Sequence, residues 1–364
     1  MNISFQKLLY AIATAFLLFA ILIFAKSILI PLSIALLFSF ILLPLTKMFE
    51  KWKIEKTLAA FLSIFAVILI IVGVTYYFST QIFNVVQEFT HFQDKIILAF
   101  ADVTVYVNNN VSFVENLEKG ELFNSMKNWI ADSTGYLVSK TVSNSAIFIA
   151  GLTAIIVFTF LFLIYRKGLT TAFLAFSSVN NRERVLKMFK SVQQVGQKYL
   201  FGMVILTVII GLANSIGLLI IGIENPFLFG FLGAALAIIP YIGATMGAVI
   251  PMIYAFVSYD SIWIAVAVAF LFWVVQLVCD NYLTPRIVGG SLKINALTAI
   301  LSLFIGAAVW GLAGMILFLP FAAMLKVVCE EFEELKPIAL IIGEKNIKKS
   351  NGHKGFLYRW WIKK

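Results

Sequence analysis

The sequence predicts an all-α, polytopic membrane protein, and three observations support that prediction. Hydrophobic residues make up 61% of the 364 residues, charged residues only 13%, and the mean hydropathy is +0.97. Soluble domains contain about 45–50% apolar and about 25% charged residues. Eight stretches also lack Asp, Glu, Lys and Arg over lengths that can cross a bilayer. They are residues 8–25, 27–46, 57–78, 145–165, 199–223, 225–259, 261–279 and 294–325.

The composition also argues against several kinds of functional site. Cys279 and Cys329 cannot be a disulfide framework, because one lies in an apolar span and the other follows one. His91 and His353 lie far apart in segments of different character. The sequence has no phosphate-binding loop, no nucleophile elbow and no metal-like spacing of His or Cys. We therefore expect no enzyme activity, no catalytic residue, no metal and no cofactor.

Residues 1–78 are predicted to form a scaffold of three spanning helices. Each stretch is close to the roughly 20 apolar residues that cross a hydrocarbon core of about 30 Å. Lys7 precedes the first stretch, as a basic residue does in a signal peptide. The apolar run is longer than a usual signal peptide core and another span follows almost at once, so we interpret it as a helix.

Residues 79–144 are predicted to form extracytoplasmic amphipathic helices. Apolar residues recur at spacings of three and four between Ile82 and Phe100, and a similar pattern resumes between Leu117 and Leu137. The segment contains four Lys and seven acidic residues, so the positive-inside rule places it outside. We expect two or three helices on or near the outer membrane surface, with ligand binding by this segment as an alternative.

Residues 145–223 are predicted to hold spans four and five, joined by a cytoplasmic basic helix over 178–198. Seven basic residues and one acid lie between the two spans. We expect the basic helix to lie in the interface, with its cations toward anionic headgroups. The loop between spans two and three and the tail over 328–364 are interpreted as cytoplasmic too, so both termini lie inside. The net charge of +10 therefore follows from topology, and no nucleic-acid partner is expected.

The stretches 225–259 and 294–325 are too long for one crossing. A straight helix of either length would measure about 50 Å at roughly 1.5 Å per residue. Both contain Gly and Pro, and interrupted helices at membrane depth are tolerated where the backbone is buried in protein or lines a wet cavity. We therefore predict two inverted re-entrant helical hairpins flanking a single span over 261–282, together a transport core over 225–327. The alternative is a long tilted helix with a kinked end.

Two further observations favour the hairpins. With hairpins, Arg286 and Lys293 lie in the cytoplasm, as the positive-inside rule prefers. Residues 231–236, Phe-Leu-Gly-Ala-Ala-Leu, also resemble residues 304–309, Phe-Ile-Gly-Ala-Ala-Val. Together with opposed topology, this weak repeat fits an inverted pair, a common transporter design with substrate at the midplane between the repeats.

The first candidate site lies at the end of the span over 261–282. An acid such as Asp280 costs roughly 2.5–3.5 kcal/mol at the centre of a membrane span, so it needs a partner or a function. Pro285 removes a backbone donor and disfavours helix before it, which frees carbonyls nearby. These groups could coordinate a cation or hold a transferable proton. Alternatively, Asp280 lies near water at a helix end and Arg286 is a cytoplasmic anchor. The candidate residues are Gln276, Asp280, Asn281, Pro285 and Arg286.

The second candidate site lies within the first long stretch. Pro240, Tyr241 and Gly243 would open a helix at depth, where half-helix ends can face a polar ligand. Gly243 and Gly247 also form a small-residue pair that is typical of close helix packing. Asn295, at the start of the last stretch, is a further candidate pathway residue. The candidate hinge residues are Gly247, Pro251, Gly311, Gly314 and Pro320.

The sequence resembles the autoinducer-2 exporter family of bacterial membrane proteins, mainly from about residue 146 onward. The matching residues are Gly202, Gly222-Ile223, Pro226, Leu228-Phe229-Gly230, Ile239-Pro240-Tyr241-Ile242-Gly243, Pro251, Asp280-Asn281, Pro285-Arg286, Gly311, Gly314 and Pro320. Two positions depart from the family pattern: Lys167 stands where an acid is usual, and Ala296 where a Pro is common. The resemblance implies an inner-membrane transporter that works as a homo-oligomer. Some members of the family are assigned to export of autoinducer-2 and others to sodium–proton antiport.

We therefore expect a secondary transporter of the bacterial cytoplasmic membrane, driven by a gradient because no ATP-coupling motif is present. Its partners are the lipid bilayer and a small-molecule or cation substrate. The first hypothesis is export of a small polar signalling molecule such as autoinducer-2. The second is sodium (or other cation)/proton antiport. A third, of another class, is a non-transporting membrane scaffold or partner-binding protein.

Overall fold

The computed structural model describes residues 5–110, 148–239, 242–259 and 261–344. Within these ranges the chain is nearly all helical and contains no β-strand, apart from one isolated bridge between Ile294 and Gly343. Six of the described helices are long and apolar enough to cross a membrane, and shorter apolar helices accompany them. The prediction of an all-α, polytopic membrane protein is confirmed.

Five helices make up the first part of the chain. They are α1 (Phe5–Phe24), α2 (Lys26–Lys51), α3 (Lys56–Asn110), α4 (Phe148–Ala175) and α5 (Arg182–Ile221). A short 3-10 turn, Val179–Asn181, leads into α5.

The second part of the chain alternates short and long helices. They are α6 (Pro226–Leu236), α7 (Ile242–Ser258), α8 (Ile262–Val278), α9 (Ala296–Glu331) and α10 (Lys336–Ile342). Between α8 and α9 lie two π-helical turns, Cys279–Leu283 and Pro285–Gly289, and one α-helical turn, Gly290–Leu292.

Helices α2, α3 and α4 pack together around an apolar cluster that includes Leu43, Ile64 and Leu163. Polar side chains also connect them. The Thr46 hydroxyl donates to Ser63 Oγ at 3.0 Å, and both residues are buried. At the end of the same bundle, Arg166 Nη2 donates to both carboxylate oxygens of Glu50, at 2.5 and 2.6 Å. Because small hydroxyls let helix backbones approach closely, these contacts suit helix packing in a membrane.

Two helices run past the ends predicted for them. The predicted basic helix over 178–198 is not separate, because α5 continues as one helix from Arg182 to Ile221. Likewise α3 continues through residue 79 to Asn110, although the scaffold was predicted to end at 78. The charge pattern predicts where a membrane boundary lies, but a helix crosses such a boundary unless Pro or turn residues interrupt it. The remainder of the predicted extracytoplasmic segment, residues 111–144, lies outside the described residues.

Helices α6 and α7 form an antiparallel pair, hairpin 1 (residues 226–258). The ring centroids of Phe229 and Tyr254 are 4.6 Å apart. Gly233 faces Gly247 so closely that a Cβ atom on Gly247 would lie 2.9 Å from Gly233 Cα. Since these contacts join residues far apart in sequence, the chain doubles back between the two helices.

The two ends of hairpin 1 meet at its base. The Tyr259 hydroxyl donates to the carbonyl of Gly222 at 3.0 Å and accepts from the backbone N–H of Glu224 at 2.8 Å. One side chain therefore joins the residues that follow α7 to those that precede α6.

Helix α9 reverses direction at Gly311 and forms hairpin 2 (residues 296–331). Gly311 has φ 61° and ψ −138°, a conformation that residues with a Cβ rarely adopt. A Cβ on Gly314 would lie 3.0 Å from Gly306 Cα, whereas residues eight apart in a straight helix are separated by about 12 Å. The Trp310 and Phe318 rings also pack edge to face, with centroids 5.3 Å apart.

The two hairpins pack on α5 from opposite ends. At the base of hairpin 2, Glu331 Oε2 lies 3.5 Å from Arg184 Nε, near the start of α5. Towards the other end of α5, Ser215 contacts Gly230 of hairpin 1, where an added Cβ would lie 2.6 Å from Ser215 N. The tip of each hairpin, where its chain reverses direction, is therefore directed toward the middle of α5. This arrangement agrees with an inverted pair, while the re-entrant position of the tips in a bilayer stays a prediction.

Candidate functional site

The chain between α8 and hairpin 2 widens into π-helix instead of breaking. Both turns, Cys279–Leu283 and Pro285–Gly289, are π-helical, and Thr284 between them keeps helical angles of φ −59° and ψ −47°. The prediction that Pro285 disfavours helix before it is therefore wrong. A proline ring clashes with the carbonyl one α-helical turn earlier, and a π-turn changes that register. π-Helical turns occur frequently at functional sites.

One face of this π-segment (residues 279–289) is buried where the hairpins meet α5. Cys279 and Val288 belong to an apolar cluster with Ala234 of hairpin 1 and side chains of α5, and Leu319 of hairpin 2 packs against it. Gly202 of α5 lies under the π-segment, where an added Cβ would be 3.0 Å from the Ile287 carbonyl oxygen. The cluster therefore connects α5, the π-segment and both hairpins.

The opposite face of the π-segment is polar and exposed. Gln276 Nε2 donates to Asp280 Oδ1 at 2.9 Å, so the structure brings these two predicted residues together. Asn281 Nδ2 donates to the Leu277 carbonyl at 2.8 Å. Asp280 and Arg286 are exposed and belong to none of the ion pairs among the described residues. A carboxylate in a spanning helix has to face water or another polar group, because lipid solvates it poorly.

Of the four predicted residues between positions 240 and 247 in hairpin 1, the structure describes Gly243 and Gly247. Pro240 and Tyr241 lie outside the described residues. Gly243 packs against the Leu236 carbonyl and Gly247 against the backbone of Gly233. The described contacts of these two glycines are thus the close helix packing that was the alternative interpretation.

All five predicted hinge residues lie inside described helices. Among them, Gly311 is the one whose backbone conformation is not helical. Pro251 and Pro320 lie within continuous helix and are fully buried. Gly314 contacts Gly306 across hairpin 2. Reversal of the chain at Gly311 therefore depends on positive φ rather than on proline.

Asn295, a predicted pathway residue, is bonded to backbone through both the oxygen and the nitrogen of its amide group. Asn295 Oδ1 accepts from the Thr298 N–H at 2.8 Å and caps hairpin 2. Its Nδ2 donates to the carbonyls of Ile341 at 2.6 Å and Gly343 at 3.1 Å. Asn295 therefore ties the start of hairpin 2 to the segment that follows it, a role that its neighbours in sequence could not reveal.

Comparisons with known proteins identify the architecture. The model of the AI-2E family transporter matches residues 11–334. The chain belongs to the AI-2E transporter family. Bacillus subtilis YueF, whose name proposes a transport function, is 27% identical over 90% of each chain. The AI-2 transport protein TqsA of Escherichia coli is 24% identical over 89% of this chain and 91% of its own length. E. coli YhhT, also named for a proposed transport function, is 23% identical over 88% and 89%.

The family resemblance predicted from the sequence is thereby confirmed, and this AI-2E family member is a multi-pass membrane protein with transporter relatives. Within its described residues, no group of three or more His, Cys, Asp or Glu side chains could hold a metal ion. Any cation site among those residues would therefore use carbonyl, amide or hydroxyl oxygens together with at most two carboxylates.

None of the buried polar residues in the described part of this transporter was a predicted site residue, and two of them carry an amide or an ammonium group instead of a hydroxyl. Asn214, in the C-terminal part of α5, is only 2% exposed, and its Oδ1 accepts no hydrogen bond from the described residues. Lys326, in hairpin 2, is 8% exposed and pairs with Glu330 at 2.8 Å. Asn214 lies within the charge-free stretch 199–223 and Lys326 directly follows the stretch 294–325, but the burial of each depends on tertiary packing.

The position of Asn214 relates it to hairpin 1. On the surface of α5 it lies one turn from Gly211, which contacts the ring of Phe231, and one turn from Gly217, which contacts Leu271 of α8. Its unpaired oxygen is therefore located where hairpin 1 and α8 pack on α5. An unsatisfied buried acceptor costs about 1–3 kcal/mol, so a function or a bound partner is a reasonable expectation.

Proposed function

We propose that the chain is a gradient-driven secondary transporter of the bacterial cytoplasmic membrane that exports a small polar signalling molecule of the autoinducer-2 kind. Both termini lie in the cytoplasm in this proposal, and the protein works as a homo-oligomer. The observation that supports it best is the approach of two hairpins from opposite ends of α5 to one cluster around Cys279. Inverted, interrupted elements of this kind provide alternating access to a site between them.

The contacts of the hairpins suggest how such a movement would occur. Each hairpin is closed by facing glycines, Gly233 with Gly247 and Gly306 with Gly314, so its two arms move together. The surfaces that the hairpins share with α5 include small residues such as Gly211 and Ser215, over which a neighbouring helix can slide. In the proposed cycle each hairpin shifts along α5 and opens the central site to one side of the membrane at a time.

The polar groups needed to hold a hydrophilic solute are supplied by the π-segment and α5. Gln276, Asp280 and Asn281 offer amide and carboxylate groups at the exposed face of the π-segment, and Asn214 offers a separate, buried acceptor where hairpin 1 and α8 pack on α5. Among the relatives, TqsA carries the name AI-2 transport protein, which favours a solute of this class for the present chain.

Cation–proton antiport is the second candidate, and the environment of Asp280 favours it. Its carboxylate is exposed and accepts from one described side-chain donor, Gln276, so it remains accessible to a cation. The two functions differ in what crosses the membrane, while both require the hairpins and the π-segment.

Flux measurements in proteoliposomes distinguish these functions. With purified protein, we expect autoinducer-2 loaded inside the vesicles to leave down its gradient, and Asp280→Asn to lower the initial rate. Glu334→Gln removes an exposed acid near α10 and serves as the matched control, with an unchanged rate. Sodium-dependent proton flux without any solute efflux would favour antiport. Absence of both fluxes would contradict a transporter of either kind.

A further inference from the structure

A cleft of about 400 Å³ lies between the end of α4, the start of α5 and the residues that follow hairpin 2. Four phenylalanines, a valine and a methionine form its apolar lining. The rings of Phe173 and Phe189 lie 5.3 Å apart, and Phe332 completes the lining from the far side. Phe176, also in the lining, is 91% exposed. The cleft is therefore apolar and bordered by an aromatic side chain that projects away from the protein.

One edge of the cleft is polar. Arg184 and Glu331 both line it, and their closest atoms, Nε and Oε2, are 3.5 Å apart. The Arg184 side chain remains nearly half exposed despite this contact. Since a guanidinium has five N–H donors, Arg184 keeps donors available for a second anionic partner. Asn181 adds an amide group beside it.

The surroundings of Arg184 carry an excess of positive charge. Arg182, Lys187 and Lys190 are exposed on the first turns of α5, where Glu183 is the acidic neighbour in sequence. The positive-inside rule places this end of α5 at the cytoplasmic surface. Basic pockets between spanning helices on that side bind anionic lipid headgroups, because the local field concentrates negative charge there.

We propose that this cleft binds an anionic phospholipid of the cytoplasmic leaflet, with an acyl chain between the phenylalanines and the phosphate on Arg184. Because Glu331 is the last residue of hairpin 2 and contacts the same guanidinium, a bound phosphate competes with the ion pair at the base of that hairpin. Lipid occupancy is thereby coupled to hairpin 2. The binding site does not depend on the proposed substrate, whereas its effect on transport does.

Lipid binding to the full-length protein tests the proposal without any transport assay. The purified chain is titrated with phosphatidylglycerol or phosphatidylcholine, and binding is measured by native mass spectrometry. We expect Arg184→Gln to weaken phosphatidylglycerol binding about fivefold, the loss typical of one cation at a membrane surface. We expect Glu331→Gln to strengthen it, because the competing carboxylate is gone. Binding of phosphatidylcholine should be weaker in the parent chain.

Lys190→Gln is the matched control, because it removes the same charge from the same helix without touching the cleft. Equal losses from Arg184→Gln and Lys190→Gln would mean diffuse attraction and would overturn the proposal. Weaker phosphatidylglycerol binding by Glu331→Gln would show that the Glu331 carboxylate does not compete with the phosphate for Arg184. If phosphatidylglycerol binds only to a chain from which residues 345–364 have been deleted, the tail and not a lipid occupies the cleft in the full-length protein. That result would also overturn the proposal. Arg184→Lys keeps the positive charge and should retain most of the phosphatidylglycerol binding. Thermal unfolding curves of all variants show whether a loss of lipid binding is due to misfolding.

Discussion

Hairpin 1 and hairpin 2 share one construction but turn in different ways. Each is closed by facing glycines, and Gly233 and Gly306 occupy the same place in the repeated sequence segments. Hairpin 2 reverses at the single positive-φ residue Gly311, whereas hairpin 1 uses the longer segment 237–241 between its helices. Glycine contacts therefore fix how close the arms lie, and the tip is free to vary.

The bases of the two hairpins differ as well. Hairpin 1 is joined at its base by the Tyr259 hydroxyl. Hairpin 2 is held by three hydrogen bonds of the Asn295 side chain and by the bridge between Ile294 and Gly343. The buried Lys326 also packs against Gly343. These contacts indicate that hairpin 2 is the more firmly anchored of the two, so hairpin 1 is expected to shift more easily in the proposed cycle.

The largest expected effect comes from closing the gap between facing glycines. Gly314→Ala places a Cβ against the carbonyl of Gly306, where backbone rather than a flexible side chain has to move. We expect a loss of about 3 kcal/mol of stability, the upper range for overpacking, measured by thermal unfolding in detergent. Gly290→Ala is the control, because an added Cβ there meets no atom within 4 Å. Equal melting temperatures for the two variants would contradict the close approach.

A smaller loss of stability is expected when the hydrogen bonds at the base of either hairpin are removed. Asn295→Ala removes a helix cap and two further hydrogen bonds, so we expect a loss of about 2 kcal/mol. Tyr259→Phe removes the hydroxyl bonds at the base of hairpin 1 and should cost about 1 kcal/mol. Chemical denaturation in mixed micelles gives both values. A larger loss for Tyr259→Phe would reverse the order of anchoring inferred above.

The smallest change in stability has the opposite sign. Asn214→Leu replaces a buried amide whose oxygen lacks a described partner by an apolar side chain of similar size, so we expect stability to rise by about 1 kcal/mol. Transport should fall, because the acceptor beside hairpin 1 is lost. Ser215→Ala is the control, since the Ser215 hydroxyl bonds to the Gly211 carbonyl of its own helix. A stabilised Asn214→Leu variant with full transport would assign that residue no part in the pathway.

The sequence predicted the elements whose signals are local. Excess length and internal Gly and Pro predicted that both long stretches are interrupted, and the repeat at 231–236 and 304–309 aligned the two contact glycines. The effect of Pro285 was misjudged because the rule assumes α-helical register, which the π-turns avoid. The roles of Asn295 and Lys326 depend on contacts with residues near Gly343, and such distant partners leave no periodic pattern in the sequence.

Side-specific labelling of single cysteines tests the central claim, that two hairpins open toward opposite sides of the membrane. In a chain whose buried Cys279 and Cys329 are replaced by Ala, a cysteine is placed at Glu224, Ser261, Lys293 or Glu333, the four hairpin ends. A membrane-impermeant maleimide should label Glu224→Cys and Ser261→Cys from outside. It should label Lys293→Cys and Glu333→Cys from the cytoplasm only. Cytoplasmic labelling of Ser261→Cys together with outside labelling of Lys293→Cys would mean single crossings and would contradict the account.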